Sequence, residues 1–256
     1  MIDSRAVVDP AARIDADVYV GPYAVIGPNV EIGRGSRIEP HAVIKGPTVI
    51  GVDNHIFQFA SIGDDPQDKK YKGEPTRLVI GDRNTIRECC TINRGTVQDQ
   101  GVTTVGNDNW IMAYAHMAHD CMVGNNTIFA NNASIAGHVH VGDYVILGGF
   151  TAVHQFCHIG PHAMASMFSY ITMDIPAFVT ASGRPAEPRG INAEGLKRRN
   201  FTAPQVRNIR EAYRTVYRLS LKLEEALAEL DKRLPEQPEL KPFVDSLRSG
   251  TRGLAR

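Results

Sequence analysis

Stepping along the chain six residues at a time from Val8 lands on Val8, Ile14, Val20, Ile26, Ile32, Ile38, Ile44, Ile50, Ile56 and Ile62. Ile80, Ile86 and Ile92 keep that register. A second register, offset by one residue, runs Val105, Ile111, Met117, Val123, Phe129, Ile135, Val141, Leu147, Val153, Ile159, Ala165 and Ile171. Glycine often follows the aliphatic, as at Gly21, Gly33, Gly51, Gly81, Gly106, Gly124 and Gly142. A helical stripe of period 3.6 cannot hold phase over such a distance. A branched aliphatic every six positions supplies one inward knob per short strand. Glycine, Asn and Asp beside it are expected to form the tight, partly left-handed turn that ends the strand. Three such strands close a triangular coil of 18 residues, and coils stack about 4.8 Å apart. The pattern predicts a mainly β fold, a parallel β-helix of hexapeptide repeats whose core is the column of stacked aliphatics.

Two stretches break the pattern. Residues 64–78, DDPQDKKYKGEPTRL, are polar and carry two prolines; residues 97–104, VQDQGVTT, shift the register by one. Both are expected to be external loops, where binding residues collect on a rigid solenoid. After about residue 190 the six-fold pattern stops. Thr202-Ala203-Pro204 reads as a helix cap with Pro in the first turn, and Ile209, Tyr213, Val216 and Tyr217 follow at helical spacing. The expected division is a β-helix over 1–190 and a C-terminal α-helical domain over 191–256, with two or three helices and a break at Pro235 and Pro238.

Composition narrows the function. The 256 residues carry 28 Lys+Arg against 28 Asp+Glu, a formal net charge of zero. That balance argues against nucleic acid or a membrane surface as the main partner. No apolar run is long enough to insert in a membrane, and MIDSRAVVDP has no export signal, so a cytoplasmic protein is expected. Cys89, Cys90, Cys121 and Cys157 form no CxxC pair and are expected to be free, mostly buried thiols.

Seven of the nine histidines lie between 116 and 162: His116, His119, His138, His140, His154, His158 and His162. His138 follows His119 by one coil plus one residue, so the two can meet on adjacent coils. His140, His158 and His162 are expected to be ordinary surface residues. His116 and His119 have no third ligand in obvious register, so no metal and no cofactor are expected, although a three-His zinc site between subunits is a rival reading. His119-Asp120 is the best candidate pair: a histidine can take a proton from a sugar hydroxyl while a carboxylate fixes its tautomer. No GxSxG or other nucleophile motif is present, which favours direct transfer over a covalent acyl-enzyme.

The runs AHMAHDC (115–121), NNASIAGHVHVGD (131–143), GGFTAVHQFC (148–157) and NAEGLKRRNF (192–201) resemble the UDP-N-acetylglucosamine O-acyltransferases of lipid A synthesis. QDKKYKGEPTR (67–77), TINRGTVQ (91–98) and the terminal SGTRGLAR extend the likeness over essentially the whole chain. The resemblance implies a left-handed β-helix and a homotrimer with active sites between subunits. It also implies transfer of an (R)-3-hydroxyacyl group from acyl carrier protein to the glucosamine 3-hydroxyl of UDP-N-acetylglucosamine. Carried over by motif, His119 is the general base, Asp120 orients it, and the Gly137 N–H stabilises the oxyanion. Asp68, Lys70, His116 and His138 are implied to contact the sugar nucleotide, and His154 and Gln155 to line the site. Asn192, Glu194, Arg198 and Arg199 are implied to hold the nucleotide. Asn93 departs from the family's usual His in TIxRG, which removes any acid–base role there.

Met167, thirteen residues past His154, matches the position that ends the family's acyl channel. A bulky residue there implies a donor of about ten carbons rather than about fourteen. Arg198, Arg207, Arg210 and Arg214 are the expected dock for the acidic carrier protein. The alternatives are a hexapeptide acyltransferase acting on another nucleotide amino sugar, and a zinc-dependent hexapeptide carbonic anhydrase. Neither the anhydrase nor a purely structural β-helix, a further alternative, explains the LKRRN segment or the helical tail. The related N-acyltransferase has an added N-terminal uridine-binding domain, whereas here the repeats begin by Val8.

Overall fold

A computed structural model describes residues 1–256. Most strands are two or three residues long and belong to three parallel sheets, the faces of a triangular prism. The first face, nine strands, begins at Val7–Val8; the second, eight strands, at Arg13–Ile14. The third, ten strands, begins at Tyr19–Val20 and ends in the antiparallel hairpin Val179–Gly183/Ala186–Ile191. Neighbouring strands on a face are 18 residues apart wherever no loop intervenes, as in His116↔Ser134 and Ser134↔Ala152. The hexad aliphatics point inward: Ile26, Ile32, Ile38, Ile44, Ile50, Ile56 and Ile62 are each at most 2 % exposed. Each contributes roughly 1.5–3 kcal/mol of burial. Between the faces, Ser36, Asn54, Asn84, Asn109 and Thr127 form an internal ladder in which each side-chain oxygen accepts the next residue's backbone N–H.

The glycines have a different duty from the one expected. From Tyr23 onward left-handed backbone recurs at most corners, filled, apart from Gly35, by residues with side chains: Tyr23, His41 and Phe59 on one edge, Asp120, His138 and Phe156 on another. The glycines instead let successive coils approach, since a Cβ at Gly33 would stand 2.7 Å from the Gly51 carbonyl oxygen. Left-handed residues other than glycine cost roughly 1–2 kcal/mol each. Ring stacking along the edge, as in Tyr23–His41–Phe59 with centroids 5.2 Å apart, offsets part of that.

The first loop is shorter than expected, and the second is displaced toward the N-terminus, to residues 94–101. Asp64, Arg77 and Leu78, counted with the first, and Val102, Thr103 and Thr104, counted with the second, are strand residues. Arg77 pairs with Val102 and Leu78 with Thr103, so the ends of the two excursions share an extended ladder that the hexad spacing does not show, while Asp64 pairs with Asn93. The tail holds four helices, one more than expected: α1 (Ala193–Arg198), α2 (Ala203–Tyr217), α3 (Leu223–Arg233) and α4 (Lys241–Ser249). Thr202 and Gln205 form a capping box on α2, with Pro204 in its first turn. The short α1 escaped notice because six residues give no stripe. All four cysteines are free thiols, three of them buried.

Candidate active site

Between the first and second faces each coil turns through a three-residue corner. Three corners stack: Ala118-His119-Asp120, Ala136-Gly137-His138 and His154-Gln155-Phe156, the last residue of each being left-handed. The left-handed turn at Asp120 brings its carboxylate back to its own neighbour, with His119 Nδ1 at 2.9 Å from Asp120 Oδ2. Asp120 also accepts the Thr96 N–H at 2.8 Å and the Thr96 hydroxyl at 2.6 Å, and its own N–H donates to Thr103 Oγ1 at 2.8 Å. Burial alone would raise the Asp120 pKa; the hydrogen bonds from His119 and then Thr96 outweigh it and hold the carboxyl below its usual range. An ionised Asp120 requires the His119 proton on Nδ1, so in the neutral ring the lone pair is on Nε2.

Gly137 lies against that ring, and a Cβ there would stand 2.6 Å from His119 Cε1 and 2.8 Å from Nε2. The Gly137 N–H has no acceptor within the chain, a freedom shared by the equivalent N–H groups of His119 and Gln155. What sets Gly137 apart is the bare approach to its backbone. His138 meets His119 edge-on with centroids 5.1 Å apart, stacks on Phe156 at 4.4 Å, and bonds through Nδ1 to Asp99 Oδ2 at 2.8 Å. His119, Asp120 and His138 bring three ligand-type atoms within 4.8 Å of one another. Both Nδ1 atoms already face carboxylates, so the group is built as two carboxylate-held imidazoles.

The cleft over these corners has a volume of about 810 Å³ and is walled by Gln67, Asp68, Lys69 and Lys70 of the first loop and by Thr96, Gln98 and Asp99 of the second. Gln155 and Phe156 also line it. Of the residues read from sequence, His119, His138, Asp68, Lys70 and Gln155 line this cleft. His154 is turned to the carbonyl of Gln155, with its Nδ1 at 3.1 Å. His116 sits beside the cleft on the first face, its Nδ1 2.7 Å from Thr91 Oγ1, and burial followed by the nearness of His119 lowers its pKa. Asn93 is buried, donating to the Asp65 carbonyl at 2.8 Å. Met167 lies on the other edge of the first face and is 63 % exposed.

Asn192, Glu194, Arg198 and Arg199 line a separate cleft of about 450 Å³, between the second and third faces, with Tyr144, His162, Ile146 and Met164. Arg199 lies over the Tyr144 ring at 4.5 Å. Asn192 caps α1 by accepting the Gly195 N–H at 3.1 Å and donates to the His162 carbonyl at 3.0 Å. The three histidines expected to be plain surface residues are not. His162 stacks between Tyr144 and Phe178, and burial, then the Arg199 charge, push its pKa down to about 4. His140 and His158 stack at 4.5 Å in a third cleft, of about 710 Å³, beneath α4. Coil stacking places like residues ring on ring, which lone sequence positions do not reveal.

A family profile described as UDP N-acetylglucosamine O-acyltransferase, domain 2, matches residues 174–255, and one for bacterial transferase hexapeptide repeats matches 11–46 and 103–137. A protein of Stutzerimonas stutzeri named acyl-(acyl-carrier-protein)–UDP-N-acetylglucosamine O-acyltransferase is 56 % identical over 100 % of this chain and 99 % of its own. One of the same name from Janthinobacterium sp. is 57 % identical with the same coverage. The solved UDP-N-acetylglucosamine acyltransferase of Francisella novicida superposes with a TM-score of 0.98 at 44 % identity, covering 100 % of this chain and 94 % of that one. The chain belongs to the UDP-N-acetylglucosamine O-acyltransferase family. It is an acyltransferase built on a left-handed parallel β-helix of hexapeptide repeats with a C-terminal helical region.

Within this acyltransferase, sequence reading missed Thr96, Asp99 and Thr103, which hold the two imidazoles, and Tyr144 and His162, which back Arg199. The Thr96 and Asp99 contacts depend on where a loop returns, and no spacing rule fixes that. Tyr144 and His162 are one coil apart, and that interval was the available signal.

Proposed function

We propose that this chain transfers an (R)-3-hydroxyacyl group from the thioester of acyl carrier protein to the glucosamine 3-hydroxyl of UDP-N-acetylglucosamine, by direct general-base catalysis in the cytoplasm. The observation that carries the reading is the Asp120-held His119, whose free Nε2 lies against Gly137. His119 Nε2 takes the proton of the 3-hydroxyl as its oxygen attacks the thioester carbonyl carbon. The oxyanion of the tetrahedral intermediate accepts from the Gly137 N–H. Collapse breaks the carbon–sulfur bond, and the proton on His119 passes to the departing sulfur. Asp68, Lys70, His116, His138, His154 and Gln155 orient the sugar nucleotide and acyl group. Glu194, Arg198 and Arg199 hold the uridine diphosphate, and Asn192 sets the helix that carries them.

The two clefts of one chain support a homotrimeric site. The edge between the third and first faces carries an exposed column of aromatic rings, Tyr23, Phe59, Tyr114, Phe150 and Phe168, each 44–60 % exposed. Exposed apolar strips of this kind mark an association surface. Set around a three-fold axis, such edges turn the first face of one copy toward the third face of the next. The His119 corner of one protomer then stands opposite the Arg198–Arg199 cleft of its neighbour, and the site is completed between subunits.

The test mixes two variants, His119→Ala and Arg199→Ala, each impaired alone. Co-refolded or co-expressed trimers should regain about a quarter of wild-type turnover, because random mixing leaves that share of interfaces intact. Failure of any mixture to exceed its parents would contradict a shared site.

A further inference from the structure

The catalytic corner holds two imidazoles, and Asp120 can serve only one of them. Its Oδ2 accepts the Thr96 hydroxyl at 2.6 Å and His119 Nδ1 at 2.9 Å, which fills both lone pairs of that oxygen. Its Oδ1 accepts the Thr96 N–H at 2.8 Å. Yet His138 Nδ1 stands only 3.9 Å from the same Oδ2, one small ring rotation from competing for it. Asp99 Oδ2 is the nearer carboxylate oxygen to that nitrogen, at 2.8 Å. We propose that Asp99 is a positioning residue that divides the two imidazoles between two carboxylates, holding His138 away so that Asp120 remains the partner of His119 alone.

The loop geometry supports this division. Thr96 donates to Asp120 through both its hydroxyl and its N–H, while its own carbonyl accepts the N–H of Asp99 at 3.3 Å and of Gly101 at 3.0 Å. One residue therefore ties the loop to the first carboxylate and sets the place of the second. Phe156 stacks on His138 with centroids 4.4 Å apart and planes 10° apart, which resists tilting of that ring out of its plane. Without Asp99 the His138 Nδ1 loses its carboxylate partner, and the Asp120 oxygen that His119 uses lies 3.9 Å away.

The catalytic consequence rests on the general-base reading above; the structural claim does not. The test uses the full trimer with 15N-labelled histidine and no substrate, reading imidazole tautomers by two-bond nitrogen–proton correlation. Asp99→Ala should shift the ring signals of both His138 and His119 and lower kcat on the order of tenfold. In a His138→Phe background, where the competitor is gone, Asp99→Ala should leave the His119 signals unmoved; Phe already occupies the equivalent left-handed corner at Phe156. Asp99→Asn keeps an acceptor of the same shape and should move the signals less than alanine. His119 signals unchanged in Asp99→Ala, or equally shifted with and without His138, would overturn the proposal. A protein that transfers no acyl group at all would instead overturn the general-base reading and leave the tautomer result standing.

Discussion

His119 and Asp120 are adjacent in sequence, yet their side chains meet at 2.9 Å because Asp120 turns with a φ of +58°. In an extended strand such neighbours would point to opposite sides. The contact fixes the tautomer that the proposed general-base role of His119 requires. Asp120→Asn offers an amide N–H to the same nitrogen and favours the proton on Nε2, where it blocks the base. We expect kcat to fall by roughly 10²–10⁴, with the KM for UDP-N-acetylglucosamine changed by less than about threefold. Steady-state kinetics at saturating carrier protein check this; near-normal kcat would count against the tautomer argument.

Met167 is proposed as the end of the acyl channel. It lies on the far edge of the face that carries His116, three strands further along the helix. A longer chain would meet its side chain as an overpacked wall costing roughly 1–3 kcal/mol. Wild type should prefer a ten-carbon over a fourteen-carbon hydroxyacyl donor by tens- to hundreds-fold, and Met167→Gly should relax that preference. A competition among ten-, twelve- and fourteen-carbon donors decides it. An unchanged preference in the variant would remove Met167 from the role.

Arg207 and Arg210 are exposed on α2 without acidic partners, whereas Arg214 is paired to Glu211 at 3.2 Å. If they dock the acidic carrier protein, its KM should rise with salt as screening shortens the Debye length below about 10 Å. Arg207→Glu and Arg210→Glu should raise that KM at low salt and matter less at high salt. A KM indifferent to ionic strength would place the dock elsewhere.

Acid should weaken the fold through His162. Its pKa drops from an ordinary 6.5 to about 4, chiefly by burial and then by the charge of Arg199. Above the ordinary value both folded and unfolded chains hold it neutral. Between the two values only the unfolded chain takes the proton, so stability falls as pH falls through that window. His116 and His140 are shifted in the same direction by burial. Melting temperatures at pH 7 and pH 5 should differ in wild type and differ less in His162→Phe, since a ring at this corner can stack on Tyr144 as His162 does. An identical pH loss in the variant would exclude His162.

The hexad made the β-helix legible because every inward position must be filled by a small set of aliphatics and every coil repeats the demand. Its spacing did not reveal why glycine follows the aliphatic: Gly33 is set by Gly51 of the next coil, a relation between strands rather than within one. His119 and His138 could be brought together by coil arithmetic. Thr96 and Asp99 could not, since their loop has no period and reaches the site through hydrogen bonds that depend on the assembled corner. The separation of Arg198 and Arg199 from His119 within one chain was equally hidden, because residue spacing alone does not say which edge of a prism a helix packs against.

The most direct measurement of the central claim is acyl transfer itself. Purified protein is incubated with UDP-N-acetylglucosamine and (R)-3-hydroxydecanoyl acyl carrier protein, and the product is located by mass spectrometry and NMR, for wild type and for His119→Ala. Wild type should yield the 3-O-acyl sugar nucleotide and free carrier-protein thiol in equal amounts. His119→Ala, still folded, should be slower by roughly 10²–10⁴. Turnover near wild type in His119→Ala, or acylation at any other position of the sugar, would contradict the account.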